Sequence, residues 1–212
     1  MLDGCCGPGG AAKGYQRAGF YVVGVDIKPQ PHYCGDEFIQ ADFLEVLDDL
    51  VAWRDDPLPL AVAPFWNPRR FAAIHASPPC QRYANVTRWR GVQEDHPDLL
   101  AATIARLRAL GLPWVVENVP EAATEPGVVL CGSSFGLSVR RHRWFLSEPP
   151  LFGLMSPCRH SELLPFEHKG ERAYADAMGC DWMSSIEARE AVPPAFTEFI
   201  GAQLMASLRM AS

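Results

Sequence analysis

The sequence holds no apolar run near the roughly 18 residues that a membrane-spanning helix requires, and its N-terminus lacks the basic and apolar stretches of a secretory signal. A cytoplasmic location is the expectation, with no membrane partner. There is no surplus of positive charge: Lys and Arg number 19 against 25 Asp and Glu, a formal net charge of -6. That balance argues against a protein that coats nucleic acid nonspecifically, because such affinity comes from neutralising phosphates. The 7 cysteines are odd in number, irregularly spaced and include the neighbours Cys5 and Cys6, so reduced thiols are expected rather than a disulfide framework. Internal repeats, low-complexity tracts and a GxGxxG phosphate cradle are also missing.

What is present is an ordinary globular composition, 48% hydrophobic and 21% charged, over 212 residues. That length suits one domain with at most a small appended lobe. Met1 to Asp3 reads as a short strand, followed by the loop Gly4-Cys5-Cys6-Gly7-Pro8-Gly9-Gly10 and a helix from about Ala11 to Ala18 that Gly19 ends. Phe20 to Val25 is a β-branched run closing on Asp26, and Phe43 to Leu47 has helical spacing. Four prolines make Asp55 to Arg70 a loop. Phe71 to Ala76 reads as a central strand, Leu99 to Leu110 as a helix ended by Gly111, and Trp114 to Val116 as the next strand, ending in Glu117-Asn118. Val128 to Cys131 and Trp144 to Leu146 are further strands, and Ala195 to Leu208 is a last helix. Strands alternating with helices predict a doubly wound, Rossmann-like α/β fold.

Three features carry chemistry. The glycine loop, opening a helix and followed by Asp26 at a strand end, has the layout of a nucleotide-binding βαβ unit whose acid accepts from ribose hydroxyls. Pro8 stands where a pyrophosphate cradle would need a backbone donor, which favours S-adenosylmethionine over a dinucleotide. Ser77-Pro78-Pro79-Cys80 is the sharpest motif: the two prolines fix φ and hold a thiol in one direction at a strand end. A ring carbon such as cytosine C5 is too poor a nucleophile to take a methyl group unless a thiolate first adds at C6, and Cys80 is placed for that. Glu117, ending the neighbouring strand, suits a carboxyl of raised pKa that donates to the pyrimidine N3. Arg141 and Arg143 fall on one strand face, positioned to grip phosphate or the base's O2 edge and to help keep Cys80 ionised.

In this order along the chain, the motifs resemble those of the DNA cytosine-5 methyltransferases. Asp3 to Gly10 is similar to that family's first cofactor motif, Asp26 with Ile27 to its ribose acid, and Asp42-Phe43 to its adenine-contacting pair. Ser77 to Gln81 resembles the catalytic Pro-Cys-Gln loop, Glu117 to Val119 the Glu-Asn-Val motif, and Arg141 with Arg143 the paired arginines. Glu190 to Pro194 resembles the segment that returns to close the cofactor site. The resemblance implies S-adenosylmethionine held by Asp3, Cys5, Gly7, Gly9, Gly10, Asp26, Ile27, Asp42, Phe43, Pro79 and Val192. It implies catalysis by Cys80, Glu117, Arg141 and Arg143 on a flipped cytosine of duplex DNA, with Gln81, Arg82, Arg88 and Arg90 contacting the nucleic acid.

The chain departs from the family at Val139, where a glutamine is usual, and at Glu190, where an asparagine is. The larger departure is size. Residues 1–146 and 187–212 are expected to form the catalytic domain, leaving 147–186 as a much reduced target-recognition segment. That implies a short target, loose specificity, or a partner protein or second copy to supplement recognition. Cys158, His160, His168 and Cys180 in and beside it match no standard zinc spacing, and no metal is expected. Two other readings stand beside DNA methylation: the same chemistry on RNA or a free cytidine nucleotide, and a noncatalytic nucleic-acid-binding relative.

Overall fold

The structure, a computed structural model, describes residues 1–55, 65–85, 87, 91–153, 155–160 and 172–211. Its centre is a seven-stranded sheet: β1 (Leu2–Gly4), β2 (Val23–Asp26), β3 (Glu37–Gln40), β4 (Ile74–Ala76), β5 (Trp114–Asn118), β6 (Val128–Cys131) and β7 (His142–Glu148), in the order β3-β2-β1-β4-β5-β7-β6. The first five strands are parallel. β7 runs antiparallel between β5 and β6. The order reverses between β1 and β4, and an open α/β sheet forms its ligand crevice beyond the strand ends at such a point.

Strand alternation builds the two main cores. Leu2, Trp114, Val116, Trp144 and Leu146 face one side and pack on α2 (Phe43–Ala52) and α3 (Leu100–Leu110) through Leu47, Leu50, Ile104 and Leu107. Val115 and Phe145 face the other and meet Tyr15 of α1 (Gly10–Arg17) with Phe196, Ile200 and Leu204 of α6 (Pro194–Ala211). Asp42 caps α2 by accepting from the Leu44 amide at 2.8 Å, and Gly111 ends α3 at φ 69, a conformation that favours glycine.

A third, smaller core joins Tyr174, Ala175 and Met178 of α4 (Arg172–Met178), Ala188 of α5 (Ser185–Glu190), and Val139 and Ala191 of the main body. α4, α5 and β3 are not anticipated by sequence periodicity. Yet α5 carries a readable start: Ser184 and Glu187 form a reciprocal capping box. β3 has only Phe38 and Ile39 between polar ends at a sheet edge, too few residues to show a period. Phe20 to Val22 and Phe71 to Ala73 lie ahead of β2 and β4, so both strands are shorter than expected. Among the described residues no helix is long and apolar enough to cross a membrane.

α1 and α6 meet backbone to backbone. A Cβ at Gly14 would strike the Pro194 carbonyl and the Thr197 hydroxyl, and that hydroxyl donates to the Ala11 carbonyl at 2.9 Å. Gly14→Ala gains about 1 kcal/mol of helix propensity but must push apart two helices whose contact is a rigid carbonyl. We expect a net loss of about 1–3 kcal/mol, seen as a lower midpoint in thermal denaturation.

Candidate active site

A cavity of about 780 Å³ opens over the C-terminal ends of β1, β2, β4 and β5. Its first end is the β1–α1 loop. Cys5 adopts φ 55, Gly7 φ 49 and Gly9 φ 89, and at Gly7 a Cβ would meet only open space. A non-glycine residue in the left-handed region is strained, and the loop is held there by tertiary contacts. Asp26 reaches across from β2 and accepts from the Gly7 amide at 3.0 Å and the Lys28 amide at 2.9 Å. Trp182 donates to the Pro8 carbonyl at 3.0 Å, so the small third core closes on this loop.

Asp3 sits beneath, fully buried. Burial, with Asp26 nearby, pushes its carboxyl up to about 8. The Cys5 thiol is pushed up to about 12 by burial and by the charges of Asp26, Asp3 and Asp42. This end of the cavity is therefore acidic.

The second end gathers a thiol, a carboxyl and a guanidinium from Cys80, Glu117 and Arg143. Cys80 follows Pro78 and Pro79 off β4, and Asn118 at the end of β5 donates through Nδ2 to the Pro78 carbonyl at 3.0 Å, holding the turn against the sheet. Glu117, 5% exposed, pairs with Arg143, whose Nε lies 2.6 Å from its Oε1. Burial raises the Glu117 carboxyl above its ordinary value, while Arg143, Arg141 and a hydrogen bond from Ser77 oppose the shift. Burial likewise raises the Cys80 thiol, with Arg143 pulling down and Glu117 pushing up. The expectation that the arginines keep Cys80 ionised is thus corrected: in this pocket desolvation outweighs them and the thiol holds its proton.

Behind Glu117 runs a buried relay that the motifs do not reveal. Tyr15 Oη lies 2.9 Å from His75 Nδ1, and His75 Nε2 lies 2.9 Å from Ser77 Oγ. Burial lowers His75 to about 3, so it is neutral and has one donor and one acceptor. With Ser77 donating to Glu117, its oxygen accepts from His75 Nε2–H, and Nδ1 accepts from Tyr15.

Of the residues expected to hold cofactor, Asp3, Cys5, Gly7, Gly10, Asp26, Ile27, Asp42, Phe43, Pro79 and Val192 all line this one cavity. Gly9 does not: a Cβ there would meet the Cys34 sulfur, so its role is loop shape. Cys80, Glu117, Arg143 and Gln81 line it as well. Arg141, 1% exposed, lies beneath the lining and donates through Nη2 to the Ala191 carbonyl at 2.7 Å, which corrects the reading of it as a phosphate grip. Arg82 donates to the carbonyls of Glu94 and His96, bracing the loop after Cys80. Arg88, Arg90 and His168 lie outside the described residues. Glu190, in the segment that resembles the family's last motif, lines the cavity, whereas sequence reading missed Glu187 and Arg189, which close it from α5, because no motif marks them. The cysteine and histidine grouping also differs from the one expected: Cys180 is buried in the third core, whereas Cys158 and His160 gather with Cys131 and His142.

The Asp3 carboxyl gives the fold a pH slope. Between an ordinary aspartate's 3.8 and about 8 the folded chain keeps a proton that the unfolded chain has lost, so stability falls as pH rises through that window and levels off above it. Thermal denaturation of the chain without cofactor should follow this slope, and Asp3→Asn should flatten it while raising the midpoint at neutral pH.

No family model matches the sequence, and no curated protein matches it. Among solved structures, the Schizosaccharomyces pombe Dnmt2 methyltransferase is similar over 98% of this chain and 98% of its own, at 12% identity and a TM-score of 0.59. The Entamoeba histolytica methyltransferase EhMeth aligns over 99% of this chain and 97% of its own, at 11% identity and a TM-score of 0.49. A protein described as a DNA modification methyltransferase, encoded within an E. coli prophage, aligns over 69% of this chain at 20% identity and a TM-score of 0.46. This chain spans 45% of that protein's length. At such identities the likeness is one of fold, and with the strand order above it makes this a Rossmann-like methyltransferase fold.

Proposed function

We propose that the chain transfers a methyl group from S-adenosylmethionine to C5 of a cytosine in DNA, with Cys80 as covalent nucleophile. The observation that carries this reading is the pairing of Cys80 at the end of β4 with Glu117 at the end of β5 on the rim of one cavity, whose far end is acidic.

The cofactor's chemistry fits the residues. A sulfonium nucleoside is cationic and carries no phosphate, and this end of the cavity is lined by the carboxylates of Asp26 and Asp42, with Pro8 in place of an amide donor. Ile27 lines the cavity while 63% exposed, an apolar side chain that a purine face would cover. Asp26 would take the ribose hydroxyls with the lone pairs that its amide contacts leave, and Phe43 and Val192 would bound the adenine. When bound, S-adenosylmethionine supplies the electrophilic methyl group that C5 takes up.

The chain's own residues prepare C5. Cys80 gives its proton to solvent and its sulfur adds to C6, while Glu117 in its protonated form donates to N3 so that the ring accepts the electron pair. Arg143, on the far side of Glu117, orients that carboxyl, and the Ser77–His75–Tyr15 relay fixes it from behind. After methylation C5 gives its proton to solvent, N3 returns its proton to Glu117 and the Cys80 thiolate is expelled, which restores the ring. The cytosine must leave its stack to reach this depth. We assign residues 1–146 and 187–212 to this chemistry and 147–186 to choice of target, supplemented by a second copy or a partner protein.

Methyl-labelled S-adenosylmethionine offered with duplex DNA, single-stranded DNA, RNA and dCMP should label the duplex. Label confined to RNA or dCMP would overturn the DNA assignment. Cys80→Ala should abolish transfer, and 5-fluorocytosine in the substrate should trap the chain as an adduct at Cys80. Glu117→Gln should lower kcat/KM by about 10²–10⁴. Its residual activity should climb with pH through the ordinary thiol range, because burial has raised Cys80. In the unsubstituted chain the curve should level off earlier, as Glu117 loses the proton it must donate; identical pH profiles for the two would show that Glu117 is not the acid.

A further inference from the structure

The edge of the sheet remote from the glycine loop carries a second cluster of chemically capable side chains. Cys131 ends β6 and His142 begins β7, and the antiparallel register sets them directly opposite each other. The chain then leaves β7, and its 155–160 stretch returns across the same strand ends. Two hydrogen bonds fix that return: Ser134 Oγ to the Ser156 carbonyl at 2.8 Å, and the Arg159 amide to Ser133 Oγ at 3.1 Å. Cys158 and His160, one residue apart, are thereby delivered onto the Cys131–His142 pair. One donor atom from each of the four lies within 4.8 Å of every other.

We propose that Cys131, His142, Cys158 and His160 bind one zinc ion as a tetrahedral structural site, which staples the segment after β7 to the β6–β7 edge. The distances carry the inference. Zinc holds thiolate sulfur at about 2.3 Å and imidazole nitrogen at about 2.0–2.1 Å, so around a tetrahedron a sulfur and a nitrogen stand about 3.6 Å apart. Cys131 Sγ lies 3.4 Å from His160 Nε2, and Cys158 Sγ lies 3.6 Å from His142 Nε2. Two independent thiol–imidazole hydrogen bonds would satisfy these distances separately, but nothing in them would bring both pairs to a common centre. The rings of His142 and His160 stand 4.9 Å apart at 84°, so each presents Nε2 inward without stacking on the other.

Two thiolates and two imidazoles form a common donor set of closed structural zinc sites, and two thiolates cancel the ion's charge. Cys131 is buried while Cys158 and His160 are exposed, so one side of the site is anchored in the sheet and the other belongs to the strap. The placement gives the ion a task. His142 lines the large cavity beside Arg143, so the staple fixes the start of the strand that delivers the Glu117 partner.

The full-length chain, purified without chelators and without a metal-affinity step, should carry one zinc per chain by elemental analysis. Cys158→Ser and His160→Ala, both at exposed positions, should each weaken zinc binding about a hundredfold or more. Cys34→Ser and Cys80→Ser should retain it, and retention in the Cys80 variant separates this site from the methyl-transfer chemistry. Cobalt(II) added to the metal-free chain should give tetrahedral d–d bands and thiolate-to-cobalt charge transfer, both lost in Cys158→Ser. A chain without stoichiometric zinc, copper or iron in its place, unchanged zinc in both strap variants, or a Cys131–Cys158 disulfide in freshly purified protein would each overturn the assignment.

Discussion

The Glu117–Arg143 ion pair is the constraint to which the rest of the site answers. Taking a carboxylate and a guanidinium out of water costs several kcal/mol per ion, and their attraction offsets that only when geometry and further hydrogen bonds are good. At 2.6 Å, with side chains 7% and 11% exposed, the pair is close and withdrawn from water. Ser77 supplies a further bond to the carboxylate. The backbone meets the requirement of position by running β7 antiparallel against β5, with Glu117 opposite Phe145 and Asn118 opposite Trp144. That pairing brings Arg143, at the start of β7, to the end of β5. An all-parallel sheet would have sent the start of that strand to the other edge.

The same arrangement raises Cys80 and Glu117 above their ordinary values. A pocket dry enough to stiffen the ion pair is dry enough to raise Cys80 and Glu117 together. In the proposed reaction the shift is useful for Glu117, since a donor must be protonated. For Cys80 it is a resistance, because the thiolate is the attacking form. In the proposed reaction, protonation of Glu117 leaves Arg143 without a carboxylate partner, and that guanidinium is the nearest charge that favours the Cys80 thiolate. Acid and nucleophile are in that sense coupled through one arginine.

Much of this was readable from the sequence. Strand and helix alternation announces the doubly wound sheet, and prolines ahead of Cys80 announce a fixed thiol, because both depend on local backbone rules. The short elements were not readable: β3 has two apolar residues, and α4 and α5 bury their faces only against each other and against Val139. The relay escaped for a related reason. Tyr15 and His75 are 60 residues apart and each looks like ordinary core, so only the packing of α1 on β4 reveals a hydrogen-bonded line. The cysteine and histidine cluster escaped because zinc spacings are memorable when a tight turn supplies adjacent ligands. Here the β6–β7 ladder supplies Cys131 and His142, and a ladder leaves no fixed spacing. Arg141 was read as a companion of Arg143 because alternation puts them on one face, but β7 begins only at His142, and the residue before a strand need not follow its alternation.

That displacement of Arg141 determines how the cavity closes. Its Nη2 donates to the Ala191 carbonyl at 2.7 Å in full burial, and Ala191 and Val192 form the wall over the glycine loop. Lifting that wall would expose a guanidinium that burial has already taken from water and would break a charge-assisted bond. It would also pull Trp182 from the Pro8 carbonyl and His32 from Glu187, at 3.0 Å and 2.9 Å. The wall over the glycine loop is thus fixed framework, held by Arg141, while Arg143 two residues on meets Glu117. At the other rim, Arg82 donates to the carbonyls of Glu94 and His96, and Gln93 donates to the Ala84 carbonyl.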